Sequence, residues 1–411
     1  MKLQTIHDGR VLATSGRSIR LEFDRVREPT DDRRADGGLE IERTLGPGTD
    51  GGSDDGPPAD WIAATGPLRE ERSRRLPVPA SAGIGYRLKT TPPFRSLVTA
   101  ATGRFPAVNV WSIDDDALLA SADRWLFHSD DGGRRWDIVE TLPDSSAPMG
   151  VLPSAVCPND GSVYLGEYPL DGDATPRVLE SADGRTWSTA VELEGVRHVH
   201  SVRTDPYTGE LWVTTGDADS ECAIGRLRDG TFSVVGGGDQ SWRAVELAFT
   251  PDAVLWGVDS VYTERKAIRK LPRDRFGDAD PTPETVHDVS SSVYYAETIT
   301  VDGELWVLFS TAMEAGADST GPESQSVHSD RAAVVAASSA SNFTDWHELL
   351  AYRKRTVPAD RLNPRGLVPK ANAYVYLESD PSRGVFVNPY NTDRDDGAIR
   401  FIPKRAFASF S

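Results

Sequence analysis

The sequence predicts an all-β chain built from about seven similar four-stranded units, and three observations carry that prediction. The first is a short strand pattern that recurs: a turn residue or two, then alternating apolar positions ending in small residues. It reads Gly9-Arg10-Val11-Leu12-Ala13-Thr14, Asp116-Ala117-Leu118-Leu119-Ala120-Ser121, Gly161-Ser162-Val163-Tyr164-Leu165-Gly166 and Gly209-Glu210-Leu211-Trp212-Val213-Thr214. It continues as Asp252-Ala253-Val254-Leu255-Trp256-Gly257, Gly303-Glu304-Leu305-Trp306-Val307-Leu308 and Arg383-Gly384-Val385-Phe386-Val387-Asn388. The second observation is the interval, about 45 residues from the second copy to the sixth, which is the length of a four-stranded propeller blade. The third is that no segment keeps a helical period long enough for a helical domain. Together these predict a single β-propeller of about seven four-stranded blades over residues 1–411.

Within each blade the recurring pattern is placed as the second strand. Upstream of it lie apolar segments suited to the innermost strand, at 106–113, 151–157, 198–204, 243–250, 294–301 and 372–378. Downstream come two outer strands, and the N-terminal segment is expected to close the ring by pairing with the last blade. Residues 27–60 and 314–330 break the pattern. They are polar and rich in Gly, Pro and Asp, with too little apolar surface to order themselves, and are expected to be irregular insertions.

The turn between outer strands is written most fully at Ser129-Asp130-Asp131-Gly132-Gly133-Arg134-Arg135-Trp136. Asp131 can accept hydrogen bonds from backbone N–H groups a few residues on, and Ser129 does so more weakly. Gly133 allows a positive φ, and Trp136 returns the chain to an apolar surface. A shorter relative is Ser181-Ala182-Asp183-Gly184-Arg185-Thr186-Trp187, and a third is Ser341-Asn342-Phe343-Thr344-Asp345-Trp346. The first resembles the Asp-box, the bacterial neuraminidase repeat. That resemblance implies a sialidase-like propeller with the motif on the outside of its blades, away from any active site. It also implies glycans as a substrate class.

Composition narrows the partners. The formal net charge is −18, with seven lysines at 2, 89, 266, 270, 354, 370 and 404 and arginine supplying the other basic residues. Such a surface leaves no phosphate-neutralising face, so nucleic acid is not expected as a partner. Many carboxylates with few lysines also suit a high-salt cytoplasm, and a cytoplasmic protein is the expectation. Met1-Lys2-Leu3-Gln4-Thr5-Ile6-His7 shows no charged segment followed by an apolar one, so no signal peptide is read. No run of about 18 apolar residues predicts a membrane span. Cys157 and Cys222 are the two cysteines; they have no metal-binding spacing and read as small buried hydrophobes.

Chemistry is expected where innermost strands begin, at the central face. The repeat register places Arg104, Arg197, His198, His200, Trp242, Arg243, Tyr294, Tyr295, Glu297 and Asn372 there. In a strand, His198 and His200 share one face. They can hold a divalent ion if a third ligand joins them, with Asp217, Asp259, Glu221 and His287 as candidates, or one can act as a general base. Packing between blades is the other reading of the pair. The expectation is that no metal is needed to hold the fold and that His198, His200, Arg243 and Glu297 converge in one pocket. Trp242, delivered by Gly236-Gly237-Gly238-Asp239, can stack on a sugar or fill space between blades. Asn372, Asp217 and Asp259 are the remaining candidates for substrate binding.

Gly103-Arg104-Phe105-Pro106-Ala107 resembles the Arg-x-Pro-Ala motif that opens sialidase catalytic domains, with Gly in place of an aromatic residue before the arginine. The resemblance implies that Arg104, with Arg197 and Arg243, pairs with a substrate carboxylate. It further implies Tyr294 or Tyr295 as nucleophile with Glu297 as its base, and Asp123 as acid/base. The leading expectation is a carbohydrate-active propeller, a glycoside hydrolase or a polysaccharide lyase, taking a glycan or other small molecule at the central face. A propeller that binds a glycan or protein without turnover is the alternative. The sequence specifies no cofactor.

Overall fold

The computed structural model describes residues 76–408 except 91–93, 103–107, 115–116, 172–173, 261–262, 264, 314–330, 359–371, 382 and 397–398, together with six strand segments in the first 75 residues. The chain is an all-β propeller. Among the described residues, six sheets have four strands each and the seventh has five. All seven recurring patterns are second strands: Gly9–Ser15, Leu118–Ala122, Ser162–Gly166, Leu211–Thr215, Ala253–Val258, Glu304–Thr311 and Gly384–Tyr390.

The last sheet departs from the expected seven four-stranded blades. Its strands Tyr374–Asp380, Gly384–Tyr390 and Ile399–Pro403 are joined by Ile62–Ala64 and then Ile41–Arg43. Phe401 faces Ile62 across an antiparallel pair, so a segment from the N-terminal part completes the last sheet, as expected. The strand Ile41–Arg43 falls inside the expected insertion at 27–60; the rest of that insertion, and all of 314–330, lie outside the described residues. Two short helices that the strand repeat does not announce, Ile84–Thr90 and Phe94–Thr102, stand between the first sheet and the second.

The core lies between sheets rather than within one. One apolar cluster joins Trp212 of the fourth sheet to Leu247, Phe249 and Trp256 of the fifth; another joins Ile268 of the fifth to Val307 and Phe309 of the sixth. Trp212, Trp256 and Trp306 occupy corresponding second strands and are each 1% exposed. Truncating one such ring to alanine costs about 3–5 kcal/mol. Fourth strands such as Asp137–Thr141 and Ser188–Glu192 are largely exposed, which sets them on the outside.

The outer turns are local structures. Asp131 Oδ1 accepts from Arg134 N at 2.9 Å, Arg135 N at 2.8 Å and Ser129 Oγ at 2.9 Å, while Trp136 Nε1 donates to Gly133 O at 3.0 Å. Asp183 repeats this in the next sheet, accepting from Arg185 N at 2.7 Å, Thr186 N at 2.8 Å and Ser181 Oγ at 3.0 Å. Both turns join a third strand to a fourth. Arg185 also reaches back to Asp130 at 2.9 Å and Asp137 at 3.3 Å, tying one turn to its neighbour.

Candidate functional site

In each sheet the first and second strands are antiparallel, so the start of one and the end of the other lie at the same end of the sheet. Three first strands carry a register shift there: between Val199 and Ser201, between Ala244 and Leu247, and between Val293 and Tyr295. Such a bulge adds one residue and re-aims its side chain. His200 is the added residue in the fourth sheet and Tyr294 in the sixth. From the opposite side, the chain leaving the second strands of the third, fourth and fifth sheets delivers Tyr168, Asp217 and Asp259.

These residues meet. His198 Nε2 and His200 Nε2 are 3.1 Å apart. His198 Nδ1 is 3.2 Å from Pro169 O, and His200 Nδ1 is 3.1 Å from Ala244 O. A carbonyl oxygen only accepts, so the network assigns the proton of each ring to Nδ1 and leaves both Nε2 lone pairs facing inward. Asp217 closes the group, with Oδ2 3.4 Å from His198 Nε2 and Oδ1 3.7 Å from His200 Nε2. Two arginines flank the same carboxylate: Arg243 Nη2 at 2.7 Å from Oδ1 and Arg197 Nη1 at 3.1 Å from Oδ2. Asp259 Oδ2 lies 3.5 Å from Arg243 Nη2, and the Tyr168 ring stacks on His198 at 3.9 Å and 20°.

The histidines are almost fully buried. Burial pushes His200 down to about 4, against the pull of Asp217, so its ring is neutral near pH 7. Burial works to raise Asp217, but the adjoining His198 and His200 rings and the charge of Arg243 hold its carboxyl well below the usual range. Burial, then the charges of Asp217 and Asp259, push the Tyr168 phenol up, so it keeps its proton. Burial works against the charge of Arg243, but Asp259 and Asp217 outweigh it. The Nε and Nη1 atoms of Arg243 are buried with no hydrogen-bond partner among the described residues. Its 2.7 Å approach to Asp217 Oδ1 is a charge contact, since that oxygen also lacks a directed hydrogen bond. Gly216 makes the close packing possible. A Cβ there would lie 3.3 Å from Arg243 Cγ and Cys222 Sγ and 3.4 Å from His200 Cε1.

Of the residues read from the sequence, His198, His200, Arg197, Arg243, Asp217 and Asp259 converge here. Tyr294 stands at the rim, edge-on to Tyr374 at 5.2 Å, and Asn372 Nδ2 donates to the Tyr374 hydroxyl at 2.9 Å. Arg104 lies outside the described residues.

Several expectations need correction. Glu297 sits deeper in its strand. Its carboxylate accepts from Ser379 Oγ at 2.9 Å and lines a separate cavity of about 130 Å³ with Arg203. Tyr295 is buried against Tyr376 at 4.7 Å, and burial pushes its phenol well up, which does not suit a nucleophile. Trp242 does not face a substrate. It stacks on Trp256 at 5.1 Å inside the apolar layer between sheets, and Gly236 exists to admit it, since a Cβ there would meet the ring at 2.1 Å. Asp123 is a hairpin residue with φ 57° that bonds the N–H of Arg124. Tyr168 was not anticipated. Its signal is positional, because it follows the small residue Gly166 at the second-strand exit much as Asp259 follows Gly257.

No protein-family model matches the chain, and no curated protein matches it. Among solved structures it is similar to the GH74 enzyme of Niastella koreensis, with 14% identity and a TM-score of 0.38, over 59% of this chain and 38% of that one. It is similar to an ancestral GH74 enzyme at 13% identity and a TM-score of 0.41, over 71% of this chain and 43% of that one. It is also similar to YjhT at 11% identity and a TM-score of 0.39, over 71% of this chain and 99% of that one. The chain thus spans less than half the length of either GH74 enzyme. The propeller assignment rests on this chain's own sheet order.

Proposed function

We propose that this protein cleaves glycosidic bonds in a carboxylate-bearing glycan at the mouth formed by His198, His200, Asp217, Arg243 and Tyr168. The observation that carries the reading is Arg243, a charged and largely buried side chain whose Nε and Nη1 lack partners among the described residues, set beside two inward-facing imidazole lone pairs. A guanidinium fork matches a carboxylate, and buried donors left unpaired in a native fold call for a ligand. Arg197, 42% exposed in its side chain, stands ready to share that carboxylate.

The chemistry that uses these parts is elimination from a uronate. The arginines neutralise the carboxylate and so acidify the neighbouring carbon. The C5–H bond breaks, its electron pair forms the C4=C5 double bond, and the C4–O bond breaks. An acceptor at the Nε2 lone pairs takes the proton, and a protonated phenol such as Tyr168 supplies one to the leaving oxygen.

The test is a panel of uronate and neutral glycans incubated with the protein in molar KCl, read by ultraviolet absorbance of the unsaturated product and by mass. Turnover confined to uronates is expected, with Arg243→Lys lowering it by about 100-fold. Products that have gained water would replace elimination with hydrolysis. Binding without any product would replace the enzyme with a lectin-like propeller.

A further inference from the structure

We propose that His198 Nε2, His200 Nε2 and the Asp217 carboxylate form a binding site for one divalent transition-metal ion, of the zinc or manganese kind. The surroundings of the cluster point to it. Both Nδ1 atoms face backbone carbonyls, Pro169 O at 3.2 Å and Ala244 O at 3.1 Å. This is the outer contact by which metal-bound histidines are oriented and their tautomer fixed. It leaves two lone pairs facing each other at 3.1 Å beside an anionic carboxylate, an arrangement that repels unless something positive sits within it.

The spacing fits such an ion. The two Nε2 atoms are 3.1 Å apart, and the carboxylate lies 3.4 Å from His198 through Oδ2 and 3.7 Å from His200 through Oδ1. Ligand bonds of about 2.0–2.1 Å in a tetrahedron place ligand atoms about 3.3–3.4 Å apart. Two imidazoles and a carboxylate are a borderline-soft set that suits zinc, manganese or iron rather than calcium. Three protein ligands leave a fourth position for water or substrate, the pattern of catalytic rather than structural sites. Among the described residues this is the one group of three such side chains whose ligand atoms all lie within 4.8 Å of one another.

The flanking arginines do not block the site. Each carboxylate oxygen has two lone pairs, so Asp217 can meet an arginine and an ion together. Asp217 and Asp259 balance the charges of Arg197 and Arg243, and an added divalent ion makes the mouth positive, as an anionic ligand requires. A bound ion also reassigns the proton acceptor. His198, His200 and Asp217 would then hold the metal, which would supply a coordinated hydroxide, formed by loss of a proton from its water, as the proton acceptor. Ion uptake itself does not depend on the substrate being a glycan.

The experiment uses the full chain, stripped with a chelator, dialysed, and titrated separately with Zn²⁺ and Mn²⁺ by calorimetry and thermal unfolding. One ion per chain and a rise in Tm are expected with at least one metal. Both should be lost in His200→Ala and in Asp217→Asn, and kept in His347→Ala on the sixth sheet. If the site variants fail to fold, Co²⁺ in the unaltered chain decides. Intense visible bands of a four-coordinate ion support the site; the pale spectrum of the aqueous ion, or no uptake, overturns it in favour of a proton shared between the rings. Metal uptake without glycan turnover would overturn the proposed function alone, and turnover with no metal uptake would overturn this site alone.

Discussion

The turn around Asp131 and the mouth around Asp217 each hold one carboxylate in a net of partners, and they differ in where the partners come from. Asp131 is held by Ser129, Arg134 and Arg135, all within four residues. Asp217 is held by Arg197, His198, His200 and Arg243, which reach it from two first strands of adjacent sheets. The first net forms as soon as a hairpin forms. The second exists only when the fourth and fifth sheets are in register, so its stability is that of the tertiary fold. The same functional group is therefore a local cap at one place and a keystone of packing at the other.

The largest expected effect tests the keystone. Asp217→Ala leaves two arginines facing two imidazoles without their shared anion, and the loss of stability should reach about 3–5 kcal/mol, as for other broken buried pairs. Urea unfolding measures it; a loss under about 1 kcal/mol would put the mouth in the class of solvent-exposed ion pairs. Asp131→Ala should cost less, about 1–2 kcal/mol from lost backbone hydrogen bonds, and leave both turnover and metal uptake unchanged. A fall in activity there would show that the outer turn and the mouth are coupled.

A third comparison uses the cysteines. Burial, reinforced by nearby Asp219, Asp217 and Glu221 and opposed by Arg243, pushes the Cys222 thiol up to about 12. Cys157 is only half-buried. Iodoacetamide at pH 8 should therefore label Cys157 first, and Asp217→Ala should speed labelling of Cys222 if the mouth is the packed element described. Equal rates in the native chain would contradict that packing.

The smallest effect is a pH dependence of the outer turn. Hydrogen bonds from Thr186 N and Arg185 N lower Asp183 from 3.8 to about 2. Between these values the unfolded chain binds more protons, so stability rises with pH across that window and is lost as pH falls through it. Asp183→Asn should thus be less stable than the unaltered chain near pH 6, and the gap should close as pH falls from 3.8 to about 2. A gap that persists at the acid end would show that the turn depends on shape rather than on charge.

The same contrast explains what the sequence could disclose. All seven second strands were legible because a strand with small residues at its end repeats at a steady interval, and the Asp131 turn was legible because its donors are its neighbours. His198, His200 and Arg243 were found by carrying that register to the first strands. The bulges at His200 and Tyr294 were not, because an added residue leaves no mark in an apolar alternation. Trp242 was misplaced for a related reason. The glycines before it suggested a link to the mouth, whereas Gly236 is small so that the Trp242 ring can lie against it. Tyr168 was missed because it lies beyond the strand pattern, in a connection whose course depends on the neighbouring sheet.

The pairing of Ile62–Ala64 with Ile399–Phe401 bears on how the chain is made. A strand synthesised early must wait for one synthesised late, so the last sheet cannot assemble until both segments have been made. Closing so long a loop is entropically slow, and until it closes the unpaired edges of both segments remain open to other chains. Nascent or truncated protein should therefore depend on chaperones far more than the finished ring does, and loss of the early segment should be felt first as aggregation during synthesis.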